Sequence, residues 1–241
     1  MLTKTRQSWE ISENSITPEN IYLDRRNITK SILLGSIGLT NLPSLMAGKA
    51  FASGANTEIK SFINSFIRNP KYLLDRQITP EKYSTTYNNY YEFGSNKNIW
   101  KRAQKLKTRP WTIHIDGMVE NEFSINIEDL FKKVDFEERL YRHRCVEAWS
   151  MAVPWIGFPM HQLIKLAKPT FDAKYVVMET ILADRSIMPG LRQSWYPWPY
   201  TESITLEEAQ NELSFLVTGI YGKELPTQNG APLRLAIPWK Y

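Results

Sequence analysis

The chain is almost empty of cysteine: Cys145 is its only one in 241 residues. An internal disulfide is therefore excluded, and so is a closed zinc site built from several thiolates. Histidine is scarce too, with His114, His143 and His161 at no paired spacing. No His-Glu-x-x-His, Cys-x-x-Cys or Gly-x-Gly-x-x-Gly pattern occurs, which removes the main sequence support for zinc hydrolysis, dithiol redox chemistry and dinucleotide binding. Uninterrupted apolar runs of the roughly 20 residues that a membrane-spanning helix needs are missing. Lysine and arginine exceed the acids, for a net charge of +5, but they are scattered rather than gathered into a patch, and no nucleic-acid partner is expected. Repeats and low-complexity tracts are also lacking.

What is present reads as a globular protein, with 42% hydrophobic, 12% aromatic and 23% charged residues. Ahead of the globular part, Arg25-Arg26 leads into a moderately apolar run over 31–45, broken by Asn41 and Pro43, and then into Ala50-Phe51-Ala52. A charged start, an apolar middle and an Ala-x-Ala end form the pattern of a cleaved twin-arginine export signal. The expected organisation is therefore a signal over 1–52 followed by one domain over 53–241, exported by the twin-arginine translocase to the periplasm.

Export sharpens the question of the lone thiol. In an oxidising compartment a free, exposed cysteine is open to oxidation, and either burial or metal coordination protects it. Cys145 stands in Tyr-Arg-His-Arg-Cys-Val-Glu-Ala-Trp-Ser, residues 141–150, among two arginines and a histidine. Cationic neighbours favour a thiolate, the form that attacks and the form that binds metal. Three readings stay open on these residues: a small buried hydrophobe at a strand end, a nucleophile, or a metal ligand.

Along the chain, a short helix is expected around 58–67, and residues 86–94 read as a turn crowded with tyrosine and asparagine. Alternation over 111–115 and 123–127 predicts two strands, with Asp116-Gly117 as a hairpin signal. Helical turns are expected over 128–133, and a strand over 139–146 places Cys145 at its end. Proline near the start and apolar residues at 160, 163, 164 and 167 predict a helix after Phe158-Pro159. A valine-rich strand over 174–180 follows, and Thr205-Leu206-Glu207-Glu208 is a capping box. Residues 215–221 and 232–238 are apolar enough for central strands, joined by a loop over 226–230. Strands outnumber helices, so the fold class is mixed α+β.

Four stretches then stop looking independent: Tyr-Asn-Asn-Tyr-Tyr-Glu-Phe-Gly at 87–94, Arg-Cys-Val-Glu-Ala-Trp-Ser at 144–150, Val-Pro-Trp-Ile-Gly-Phe-Pro at 153–159, and Pro-Thr-Gln-Asn-Gly-Ala-Pro-Leu-Arg-Leu-Ala-Ile-Pro-Trp-Lys-Tyr at 226–241. In order and spacing they closely resemble the bacterial periplasmic protein-methionine-sulfoxide reductase catalytic subunits, molybdopterin proteins of the sulfite oxidase superfamily. The resemblance implies a strand-rich, sulfite-oxidase-type molybdopterin-binding fold. By the same resemblance Cys145 is the ligand whose sulfur binds molybdenum, while Asn88, Tyr91, Glu92, Thr180, Asn229 and Arg234 hold the molybdenum-molybdopterin cofactor. A soft thiolate suits a metal already bound by dithiolene sulfur, and an arginine fork suits the cofactor's phosphate. The implied reaction is reduction of methionine sulfoxide in periplasmic proteins, with electrons from a haem-containing membrane subunit. That family continues beyond the Pro-Trp-Lys-Tyr motif at which this sequence stops. The expectation is therefore a shortened product with an incomplete pocket. The alternatives are a truncated, inactive remnant or a thiol-based redox enzyme using Cys145.

Overall fold

In the computed structural model the described residues are 68–238 apart from Val146, and all lie in one compact unit, Ala52–Tyr241. The expected export signal and the helix expected around 58–67 fall outside the described residues.

The organising element is a five-stranded antiparallel sheet. β3 (Glu137–Arg144) pairs with β4 (Ser150–Pro159), which pairs with β7 (Phe215–Ile220); on its far side β7 takes both β8 (Lys223–Glu224) and β9 (Arg234–Ala236). Two ribbons stand apart from it: β1 (Thr112–Ile115) with β2 (Phe123–Asn126), and β5 (Tyr175–Glu179) with β6 (Thr201–Thr205). Short helices link these pieces, so the expected α+β class describes the fold. No helix among the described residues is long and apolar enough to cross a membrane.

Side-chain alternation gives the central sheet two apolar faces. One face, with Phe158 and Leu216, packs against Ile127, Leu130, Met160 and Ile164 from the helices Ile127–Phe131 and Met160–Ala167. The other carries Tyr141, Met151, Val153, Trp155, Phe215 and Val217. Strand β7 holds one extra residue: Ile156 faces Gly219 and Gly157 faces Val217, leaving Thr218 unmatched. That bulge reverses the alternation, so Ile220 joins Val217 on the same face.

Several boundaries differ from those read in sequence, each for a local reason. β4 escapes the period-2 pattern because it is buried on both faces and contains Pro154 and Pro159. Pro154 is tolerated because its carbonyl accepts from Tyr221 N–H just past the end of β7, so the missing donor would have met no strand residue there. Asp116-Gly117 opens a longer connection over 116–122 rather than a two-residue turn, although Gly117 does take the left-handed φ of +83°. The stretch 232–238 contributes only the three-residue β9, which among the described residues pairs with β7 alone, so it is not a central strand. The Thr205 capping box forms as read: Thr205 Oγ1 accepts from Glu208 N–H, and Glu208 Oε2 accepts from Thr205 N–H.

Arg139 is buried on the β3 face between the rings of Tyr72 and Phe215, its guanidinium carbon 4.1 and 4.3 Å from their centroids. It donates to Glu137 Oε1 (2.6 Å), Tyr141 Oη (2.8 Å) and the Glu212 carbonyl (2.6 Å). A buried cation is tolerated only when its donors are satisfied, and here hydrogen bonds and two ring faces share the task. Arg139→Met is expected to destabilise the fold by about 3 kcal/mol, because Glu137 and Tyr141 lose a buried partner. A urea unfolding series measures it, and an unchanged midpoint refutes this account of the residue.

Candidate functional site

The short helix Glu81–Thr86 ends beside the central sheet, and its last carbonyls have no helical donors. Side chains supply them. Asn88 Nδ2 and Asn229 Nδ2 both donate to the Ser84 carbonyl, at 2.8 and 3.0 Å, and Gln228 Nε2 donates to that of Thr85 at 2.8 Å. Two segments distant in sequence, 84–88 and the 3-10 turn Thr227–Asn229, are thereby fixed against each other. With their amino groups engaged, the amide oxygens Asn88 Oδ1 and Asn229 Oδ1 are buried without a partner among the described residues, as is Thr227 Oγ1.

Arg234 extends this group. Its Nη1 donates to the Asn229 carbonyl at 3.0 Å, and its guanidinium carbon lies 5.1 Å from the centroid of Trp155. It makes no ion pair with a carboxylate among the described residues. The residue is half-buried overall, but its charged end is enclosed, and burial pushes its pKa down from the usual arginine range. His143, on β3, sits between Trp149 and Trp155, with ring centroids 5.9 and 6.1 Å away. Burial first, and then the Arg234 charge, pushes its pKa down to about 4. The imidazole is therefore neutral at physiological pH.

Cys145 follows β3 directly. Its N–H donates to the Trp149 carbonyl (2.9 Å), and its carbonyl accepts from Ala148 N–H (3.1 Å), closing a three-residue connection whose last member, Ala148, has φ +68°. A left-handed residue in that position is how such hairpin loops match the strand twist. The half-buried sulfur faces two N–H donors, Asn89 Nδ2 at 3.6 Å and Glu147 N at 3.5 Å. Donors aimed at sulfur suit a sulfur that carries negative charge, as a metal-bound thiolate does. Among the described residues no group of three or more His, Cys, Asp or Glu converges as a metal site.

The remaining expected residues lie around this centre at different depths. Glu92 is buried at 5% exposure, and burial raises its pKa above the ordinary glutamate value. Its carbonyl accepts from Gly190 N–H at 2.8 Å, a contact that only glycine permits, since a Cβ there would stand 1.8 Å from the Tyr91 carbonyl oxygen. Tyr91 points its ring outward, edge-on to Trp195 at 6.3 Å, so its inward contribution is its backbone. Thr180 follows β5 directly, where its N–H donates to the Tyr200 carbonyl at 2.9 Å. Thus Asn88, Asn229 and Arg234 form one bonded group, and Cys145 joins it through the 88–89 segment. Glu92 lies buried in the same loop, while Thr180 is bonded to Tyr200 and not to this group among the described residues. Asn89, Glu147 and the tryptophans at 149 and 155 were not assigned roles from sequence. Only the two loops' proximity singles them out.

Three comparisons with known proteins bear on this arrangement. The model of the oxidoreductase molybdopterin binding domain family matches residues 101–241. The protein-methionine-sulfoxide reductase catalytic subunit MsrP of Pseudomonas syringae pv. tomato is 45% identical over 251 residues, covering all of this chain and 74% of that protein. The chain belongs to the MsrP family. The MsrP of Burkholderia mallei is 43% identical over 233 residues, covering 96% of this chain and 69% of that protein. Among solved structures, the sulfane dehydrogenase SoxCD from Paracoccus pantotrophus superposes with a TM-score of 0.50 at 16% identity, over 85% of this chain and 54% of that one. That last likeness bears on the fold alone.

The residues present fit the cofactor that the domain family is named for. Three buried acceptors without partners and an enclosed arginine without a carboxylate are what a polar, phosphate-bearing ligand would satisfy.

Two outcomes are expected of the loop that carries Glu92. A raised carboxyl pKa means that the folded state holds its proton longer than the unfolded state, so stability falls as pH rises from the ordinary glutamate value through the raised one. Glu92→Gln is therefore expected to raise the melting temperature at neutral pH and to match the parent below the ordinary glutamate pKa. Parallel melts across that range check it, and a constant difference would exclude Glu92 as the source. Gly190→Ala is expected to cost at least about 1–3 kcal/mol in urea unfolding, since backbone must move to admit the methyl group.

Proposed function

We propose that this chain reduces methionine sulfoxide residues of exported proteins, using a molybdenum-molybdopterin cofactor to which Cys145 contributes the protein's metal ligand. What carries the reading is the 45% identity that runs through the whole chain to a protein-methionine-sulfoxide reductase catalytic subunit.

When bound, such a cofactor supplies the two-electron chemistry by which a sulfoxide, two electrons and two protons become a thioether and water. The chain's own part is placement. Asn88 Oδ1 and Asn229 Oδ1 would accept from the cofactor's donors, because their amino groups are already committed to the Ser84 carbonyl. Arg234 would hold the cofactor's phosphate from a guanidinium placed by Trp155 and the Asn229 carbonyl. Tyr91, Glu92 and Thr180 supply polar contacts from the 91–92 backbone, the buried carboxyl and the strand end. Tyr87 and Trp149, edge-on to each other at 5.7 Å, stand beside the Cys145 turn.

The Arg25-Arg26 leader supports export of the folded chain through the twin-arginine translocase and work in the periplasm. A haem-binding membrane subunit is the proposed electron donor. The thiol-only alternative needs a fresh external thiol at every turnover, because the chain has no second cysteine to resolve an oxidised Cys145.

Metal analysis of protein purified from a host that makes the cofactor decides between them. Near-stoichiometric molybdenum in the parent, its loss in Cys145→Ser and its reduction in Arg234→Met are the expected results. A folded parent without molybdenum sinks the proposal, and undiminished sulfoxide turnover by that metal-free protein would favour the thiol enzyme.

A further inference from the structure

The two loops that meet at the Cys145 sulfur are joined by a single lysine. Lys97 Nζ donates both to Asn89 Oδ1 and to Glu147 Oε1. An ammonium group only donates, so the Asn89 carboxamide must present its oxygen to Lys97 and is left to turn its NH2 toward Cys145 Sγ. On the other loop, the held Glu147 is the residue whose backbone N–H points at the same sulfur, and its second carboxylate oxygen accepts from Trp149 Nε1 at 3.4 Å. The lysine itself starts from a fixed place, since its carbonyl accepts from Asn88 N–H at 3.2 Å. Its ammonium lies 6.0 Å from the centroid of Tyr87, the ring that meets Trp149.

Resting on the molybdenum reading above, we propose that Lys97 is a positioning residue for Cys145. It fixes the orientation of one sulfur-directed donor, the Asn89 amide, and the placement of the other, the Glu147 backbone N–H. The physical effect runs through those donors. Hydrogen bonds to a metal-bound thiolate draw electron density from sulfur, stabilise the more electron-rich metal state and raise its reduction potential. Without the ammonium, the carboxamide is free to rotate and offer its oxygen to sulfur, which repels where the NH2 attracted. A part-exposed ion pair such as Lys97–Glu147 adds little to stability, so the fold and the sulfur environment are separable in experiment.

The test uses Lys97→Met, Lys97→Arg and Asn89→Asp in the full chain, with two readouts. The first is the side-chain amide resonance of Asn89 in 1H–15N spectra of the protein without added cofactor, assigned by its loss in Asn89→Asp. The second is the midpoint potential of the molybdenum-loaded protein, followed by paramagnetic resonance. Lys97→Met is expected to shift and broaden the amide resonance, to move the potential to more negative values and to leave the melting temperature nearly unchanged. Asn89→Asp is expected to lower the potential in the same direction, and Lys97→Arg to restore both signals toward the parent. An amide resonance indifferent to Lys97→Met, or parental potentials in both Lys97→Met and Asn89→Asp, overturns the proposal. If the parent takes up no molybdenum, the functional reading fails instead, and the amide resonance still decides the role of Lys97.

Discussion

One backbone carbonyl, that of Ser84, sets the geometry on which the site depends. It closes the end of a short helix and receives amino groups from two asparagines, one four residues on and the other more than a hundred residues later. An amide is a two-ended group: committing its nitrogen dictates where its oxygen goes. By claiming both nitrogens, Ser84 turns two ordinary helix-capping contacts into a pair of buried acceptors with nothing to accept. Unpaired buried oxygens are costly in a folded protein, at about 1–3 kcal/mol each, and such groups persist where function needs them.

The central sheet supplies the rest of the placement. β3 delivers His143 and Cys145 to one end of the face that also carries Trp155, and β9 brings Arg234 over the same tryptophan. The Thr218 bulge matters here because it keeps both ends of β7 packed on that face instead of letting the alternation carry Ile220 to the opposite side. Further along β3, Arg139 holds the same face to the 69–72 segment through Tyr72. The reactive end and the structural end of one strand are thus built on alternate residues, 139, 141 and 143, of a single side.

Much of this was legible in the residues themselves. Alternation gave β1 and β2, and valine-rich or apolar runs gave β5 and β7, to within a residue or two, and the Thr205 capping box formed as written. Strand β4 was not legible, because a strand buried on both faces has no alternating pattern and prolines argue against it. The site was legible only in part. Lone residues such as Asn229 and Arg234 carry no local signal; their place came from resemblance, and their connection to Asn88 appears only once the chain is folded. Asn89 was one asparagine of a quoted turn with no role of its own, and Lys97 had no pattern at all, since a lysine in a polar loop reads as a solvated side chain until its acceptors are seen.

The connection that carries Cys145 has a consequence for durability. A sulfenic acid formed on this sulfur would find no resolving cysteine anywhere in the chain, so the first step of oxidation has no internal way back. Protection then rests on what engages the half-buried sulfur: two N–H groups directed at it, and the metal that it is proposed to bind. A chain proposed to mend oxidised sulfur in other proteins thus relies for its own on what occupies the sulfur, having no second thiol to undo the damage.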